Sequence, residues 1–185
     1  MKTSRHPRQS GASLIEVLVA ILVLSFGMLA LGAMLSFSVQ APKLASFRAT
    51  AAILASSHVE RIRANPDGFS ADAYTSALSY DGTTVDIALA DCVYATPCTT
   101  STLAAMDNAA TNHAARAELP AGGMLMKCDP SPCTKTSYGN LWILWKEPST
   151  ISLLGSSSDN CPTTDASWSG LDPKPRCLYV RFKVE

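Results

Sequence analysis

Gly11-Ala12-Ser13-Leu14-Ile15-Glu16-Val17 opens a stretch in which no further charge occurs until Lys43. Val17–Pro42 supplies about 26 uncharged residues, and about 20 suffice to cross the hydrocarbon core of a bilayer as a helix. A secretory signal has a shorter apolar core, about 7–15 residues, followed by a small-x-small cleavage site. Here the triplet Val39-Gln40-Ala41 runs straight into Pro42, which argues against cleavage at that point. Upstream of the span, Lys2, Arg5, His6 and Arg8 sit in a polar leader with no apolar core of its own. The basic end therefore stays in the cytoplasm and the remainder of the chain faces outward.

Glu16 is the anomaly in this stretch. A carboxylate in a lipid-facing segment costs about 2.5–3.5 kcal/mol at the bilayer centre and is normally paired. A cut between Gly11 and Ala12 would place a new α-amino group one helical turn from Glu16, and the same amine on a neighbouring copy could lie equally close. The plainer reading leaves Glu16 at headgroup depth in a permanent anchor.

The basic leader, Gly11 before the cut, Leu14-Ile15-Glu16 and the long apolar helix resemble the class III signal of type IV pilins and type II secretion pseudopilins. The resemblance implies a membrane aspartyl prepilin peptidase that cuts after Gly11 and methylates the amine of Ala12. It also implies that Glu16, fifth residue of the mature chain, neutralises a neighbour's N-terminus as the subunit enters a filament. Ala12 departs from the phenylalanine usual in major pilins, and small residues here are commoner among minor subunits.

The chain has 185 residues, 47% of them hydrophobic. Without the leader and the span roughly 140 residues remain, enough for one domain with a core. The whole chain has 15 basic and 15 acidic side chains; without the leader's Lys2, Arg5 and Arg8, 12 basic and 15 acidic remain, a net charge of −3. Nothing in that balance points to nucleic acid. Cys92, Cys98, Cys128, Cys133, Cys161 and Cys177 all follow the span, where the topology puts them in an oxidising compartment. The short separations in Cys92–Cys98 and Cys128–Cys133 favour two local loops and leave Cys161 with Cys177. A zinc site is the weaker reading, because neither spacing is C-x2-C and no histidine neighbours the thiols.

Beyond Pro42, Leu44, Phe47, Ala51, Leu54, Ala55, Val59 and Ile62 recur every three or four residues, the stripe of a helix packed on a domain. Asn65-Pro66 ends it, since proline disfavours the helical state of its predecessor. Ala12–Ala64 then reads as one helix about 80 Å long, with Pro42, Gly27 and Gly32 as places for a bend. His58 falls on the apolar stripe with no nucleophile or acid beside it, which makes it a hydrogen-bonded structural histidine.

Asp67–Cys98 reads as a loop with one strand over Thr84–Leu89 after the Tyr80-Asp81-Gly82-Thr83 turn signal. Ser101 or Thr102 caps a second helix through Leu119, with Leu103, Met106, Ala110, Ala114 and Ala117 on its packed side and His113 at the surface or in packing. Three strands follow, Met124–Cys128, Leu141–Trp145 and Cys177–Val184, which suit an antiparallel sheet. Arg181 and Lys183 alternate with Val180, Phe182 and Val184, so one face should be wet and the other packed on the long helix. Trp142 and Trp145 point oppositely, one into the core and the other outward as a contact candidate. No serine elbow, P-loop, dinucleotide fingerprint, zinc-protease motif or EF-hand is present, so neither enzyme activity nor a cofactor is expected.

Val59-Glu60-Arg61-Ile62-Arg63-Ala64-Asn65-Pro66 is similar to the Glu-Arg-x-Arg-Ala-Asn-Pro segment of minor pilins of the PilV type. On the residues alone, Glu60, Arg61, Arg63 and Asn65 make a helix-end latch, within which a Glu60–Arg63 pair contributes a few tenths of a kcal/mol. The expected fold is an α+β pilin-like one, with a long N-terminal helix on a small antiparallel sheet stapled by disulfides. Residues 1–11 would be the cleaved leader, 12–42 the membrane and assembly half of the helix, and 43–185 a periplasmic head that includes the amphipathic helix 43–64.

The resemblance implies a non-enzymatic minor pilin, a substrate of prepilin peptidase. It would be held single-pass in the inner membrane of a Gram-negative bacterium and then built into the pilus (fimbrium) of that cell. Its partners there would be other minor pilins, the major pilin and a tip adhesin, in a complex that primes assembly and supports adhesion and twitching motility. The first forty residues equally fit a minor pseudopilin of a type II secretion system. A bitopic periplasmic binding domain or enzyme would instead keep its leader.

Overall fold

Leucine, isoleucine, valine and alanine fill the stretch after Ser13, with nothing to break a helix before Pro42. Helix α1 accordingly runs Leu14–Ala64, and the Ser13 carbonyl accepts its first amides, from Glu16 at 3.0 Å and Val17 at 3.2 Å. The computed structural model describes residues 11, 13–76, 79–80, 98–147, 159–162 and 175–184. The chain divides into two units, residues 1–43 and 44–185.

In the first unit every described residue is exposed, including Leu14, Ile15, Leu22, Phe26, Leu29 and Met34. This part of α1 is long and apolar enough to cross a membrane by length and composition. Pro42 lies within α1, where it removes one intrahelical donor without ending the helix.

In the second unit Ala51, Leu54, Ala55, His58, Val59 and Ile62 form the buried stripe of α1, while Leu44 and Phe47 are only half-buried. The core under it also holds Phe69, Tyr74, Met124, Met126, Leu141, Ile143, Trp145 and Phe182. Asn65 ends α1, but the chain does not go directly into a loop. A short helix, α2, spans Pro66–Ser70, with the Asn65 side chain accepting from Gly68 N at 3.2 Å. The expected loop is corrected over 67–70 only, because a proline that cannot continue one helix is pre-set for the first position of the next.

Helix α3 spans Thr100–Glu118 and is capped by Thr99, whose hydroxyl accepts from Thr102 N at 3.2 Å, so the cap lies before the expected Ser101 or Thr102. Its buried residues are Ala104, Asp107, Thr111, Ala115 and Arg116; of the expected side, Ala114 packs half-buried against the main core, Leu103, Met106 and Ala110 are half-buried, and Ala117 is exposed. Alanines on both sides give little apolar bias, and the polar face is the one that finds buried partners. The expected strand over 84–89 lies outside the described residues.

Strands β1 (Gly123–Asp129), β2 (Tyr138–Trp145) and β3 (Arg176–Lys183) form an antiparallel sheet in the order β1-β2-β3, each bounded within three residues of its expected position. Leu141 pairs with Met126 and Val180, and Gly139 with Cys128 and Phe182, so these residues share the face turned to the main core. The opposite face is wet only in part. Leu125, Leu144 and Cys177 lie on it in a second small core with Tyr80 and Ala121, against which Trp142 and Cys161 pack. Trp145 is buried in the main core, while Trp142 is half-buried. Its ring stacks on Tyr179 at 5.2 Å and its Nε1 donates to the Asn160 carbonyl at 2.9 Å, so it is no free contact.

Candidate functional site

Two places carry what the sequence singles out: the start of α1 and its end. At the start, Gly11 and Glu16 are exposed, and Ala12 lies outside the described residues. Glu16 stands in the first turn of α1 at the head of the uncharged run. No described residue of this unit covers the carboxylate.

The end of α1 is tied to α3 through side chains that come from four places in the chain. Asn65 donates from Nδ2 to the Thr100 carbonyl at 2.8 Å and to the Tyr74 hydroxyl at 3.2 Å. Tyr74 in turn donates to Asp107 Oδ2 at 2.6 Å. Asp107 Oδ1 lies 3.6 Å from Arg61 Nη1, its guanidinium half out in solvent. Burial, with the bond to the Asp107 carboxylate, raises the Tyr74 hydroxyl well above the ordinary range for a phenol, so it stays a donor.

One turn further along α3, the Thr111 hydroxyl donates its only proton to the Asp107 carbonyl at 3.0 Å. His58 Nδ1, 2.8 Å from that oxygen, must therefore be the donor in their bond. Nε2 is left bare and buried, with no partner among the described residues. Burial, and then the charge of Arg61, lower the His58 pKa to about 4, so the ring is neutral at physiological pH.

Of the expected latch, Arg61 and Asn65 join this seam, whereas Glu60 and Arg63 pair with each other, at 2.7 Å on the exposed helix surface. Tyr74, Asp107 and Thr111 are not singled out by the sequence. Their one signal is the four-residue spacing of Asp107 and Thr111 inside an alanine-rich helix, which places both on one face.

Cys128 is bonded to Cys133 with Cα atoms 5.2 Å apart, and Cys161 to Cys177 at 5.5 Å. Cys98 is also disulfide-bonded, while Cys92 lies outside the described residues. Asp72, in a left-handed conformation (φ 62°), accepts from Cys133 N at 3.0 Å and the Thr75 hydroxyl at 2.6 Å, which docks the Cys128–Cys133 loop on the turn after α2. Asp72 lies close enough to both sulfurs to complete a metal-ligand trio, but the S–S bond leaves no thiolate to give. Asp159 pairs with Arg48 of α1 at 3.9 Å and with Arg176 of β3 at 2.8 Å.

An exposed, membrane-length helix that opens on an acid and continues into a disulfide-stapled α+β head is consistent with a pilin-like fold. Residues 6–32 match the family model of the prokaryotic N-terminal methylation motif, and residues 33–109 that of the Tt1218-like type IV pilins. The chain thus carries the fold of a type IV pilin together with its methylation motif, which implies processing by prepilin peptidase and incorporation into a pilus. No curated protein and no solved structure matches the chain.

Proposed function

We propose that this chain is a minor pilin of the PilV type. Prepilin peptidase cuts it after Gly11 and methylates Ala12. Residues 12–42 hold it in the inner membrane of a Gram-negative cell, with 43–185 on the periplasmic side. From there it joins other minor pilins and the major pilin in a complex at the pilus tip that primes assembly, carries an adhesin, and supports adhesion and twitching motility. Its work is association, with no chemistry of its own.

The observation that carries this reading is the first half of α1, apolar, uncharged and wholly exposed, with Glu16 at its head. Such a surface is stable only in lipid or among like helices. Transfer from one to the other exchanges apolar surroundings at little cost, and pairing Glu16 with a terminal amine then favours the bundle. The Glu60–Pro66 segment and the disulfides favour a pilus subunit over a secretion pseudopilin.

The N-terminal sequence and intact mass of the membrane-extracted protein test the reading. A chain that begins at methylated Ala12 with all six cysteines oxidised is expected, and co-purification then separates pilus from secretion partners. A chain that begins at Met1 refutes it.

A further inference from the structure

The end of the head at which α1 terminates is hollow. A cavity of about 520 Å³ opens there, lined by Pro66, Asp67, Phe69, Lys135, Lys183 and Val184. Phe69 and Val184 belong to the main core, so the floor is apolar. Lys135 and Lys183 are exposed at its rim, and neither has an ion-pair partner among the described residues. On the adjoining sheet face Arg181 lies over the Tyr138 ring at 4.4 Å, opposite Asp129 at 3.2 Å. Two such ammonium groups on one concavity concentrate positive potential there. They do so on a chain whose charge after Gly11 is net negative.

We propose that this cavity is a docking site for an acidic segment of a neighbouring pilin-type subunit, with a carboxylate at Lys135 and Lys183 and an apolar side chain on the Phe69–Val184 floor. A peptide segment fits better than a polyanion. Nucleic acid or an acidic polysaccharide carries charge along its whole length and would meet the carboxylates of Asp67 in the cavity and Asp129 beside it. A segment with one carboxylate next to an apolar side chain brings far less charge against them. A chain such as this one, with acids in excess over bases, has such segments to offer.

The inference rests on the filament-subunit reading, and the experiment separates the two. Full-length protein is expressed in its own cells, and its amount in sheared pili is measured against its amount in the inner membrane. The double variant K135E/K183E should reach the membrane cleaved and oxidised like the wild type, because both side chains are exposed. Its share in pili should fall about tenfold or more, as like charges are brought together at the contact. K135R/K183R should retain the wild-type share. A photo-crosslinking residue at position 135 should join an acid-containing segment of a pilin-type subunit. Equal incorporation of K135E/K183E, equal loss in K135R/K183R, or crosslinks only to polysaccharide, nucleic acid or lipid would each overturn the docking site while leaving the filament reading intact. Absence of the wild type from pili would overturn that reading and the docking site with it.

Discussion

Tyr74 stands at the centre of the α1–α3 seam, accepting from Asn65 and donating to Asp107. Tyr74→Phe removes one hydroxyl and leaves a buried carboxylate oxygen and a buried amide proton unmatched. A loss of about 1–3 kcal/mol is expected, because leaving such groups unpaired costs more than a hydrogen bond contributes on balance. Urea unfolding of the mature protein measures it, and an unchanged midpoint would show that the seam contributes no stability.

His58 gives a second expectation at this scale, with a definite sign. Below its ordinary pKa of 6.5 the unfolded chain takes up a proton on His58, while the folded chain, held at about 4, does not. Stability is then undiminished above pH 6.5 and falls as the pH drops from there toward about 4, by on the order of 3 kcal/mol across that window. His58→Leu should flatten this part of the profile of urea midpoint against pH. A variant as steep as the wild type would assign the slope to another group.

At the scale of elements, legibility follows apolar periodicity and fails where polar groups decide. The buried stripe of α1 can be read from Ala51 to Ile62, and the three strands from their β-branched and aromatic runs. The packed face of α3 cannot, because its alanines are neutral and the choice falls to Asp107 and Thr111, whose partners lie 33 and 53 residues away in sequence. Helix α2 is hidden because Pro66 reads equally as an end and as a beginning. Trp142 is free to point outward until Tyr179 and Asn160, both distant in sequence, close on it. The contact between β2 and β3 at Gly139 is likewise out of reach. A Cβ there would stand 2.3 Å from Phe182 Cζ, with other ring carbons at 2.6 and 2.8 Å. That ring is buried and cannot swing away, so Gly139→Ala should lower stability by about 1–3 kcal/mol through overpacking. Thermal unfolding measures this, and a melting point equal to the wild type would mean that the ring has room to move.

For the whole molecule, the sequence is most informative where a membrane imposes its own rules. Glu16 stands out because hydrocarbon penalises it, and its need for a partner follows from that penalty alone. The identity of that partner does not; in the proposed reading it lies on another chain. Glu16→Ala is expected to leave cleavage intact and to reduce the amount of protein in sheared filaments; normal representation there would sink the pairing argument. Gly11→Val, by contrast, should block cleavage itself, and mass spectrometry finding the mature N-terminus in that variant would contradict the site.

The two fastenings of α1 within the head also bear on mechanics. Arg48 is tied to Asp159 near the point where the helix enters, and Arg61 and Asn65 are tied to α3 where it ends, with the core between them. A pull along the helix axis therefore loads both fastenings and the core side by side, in shear. Peeling, which would break them one after another, would require a force across the axis.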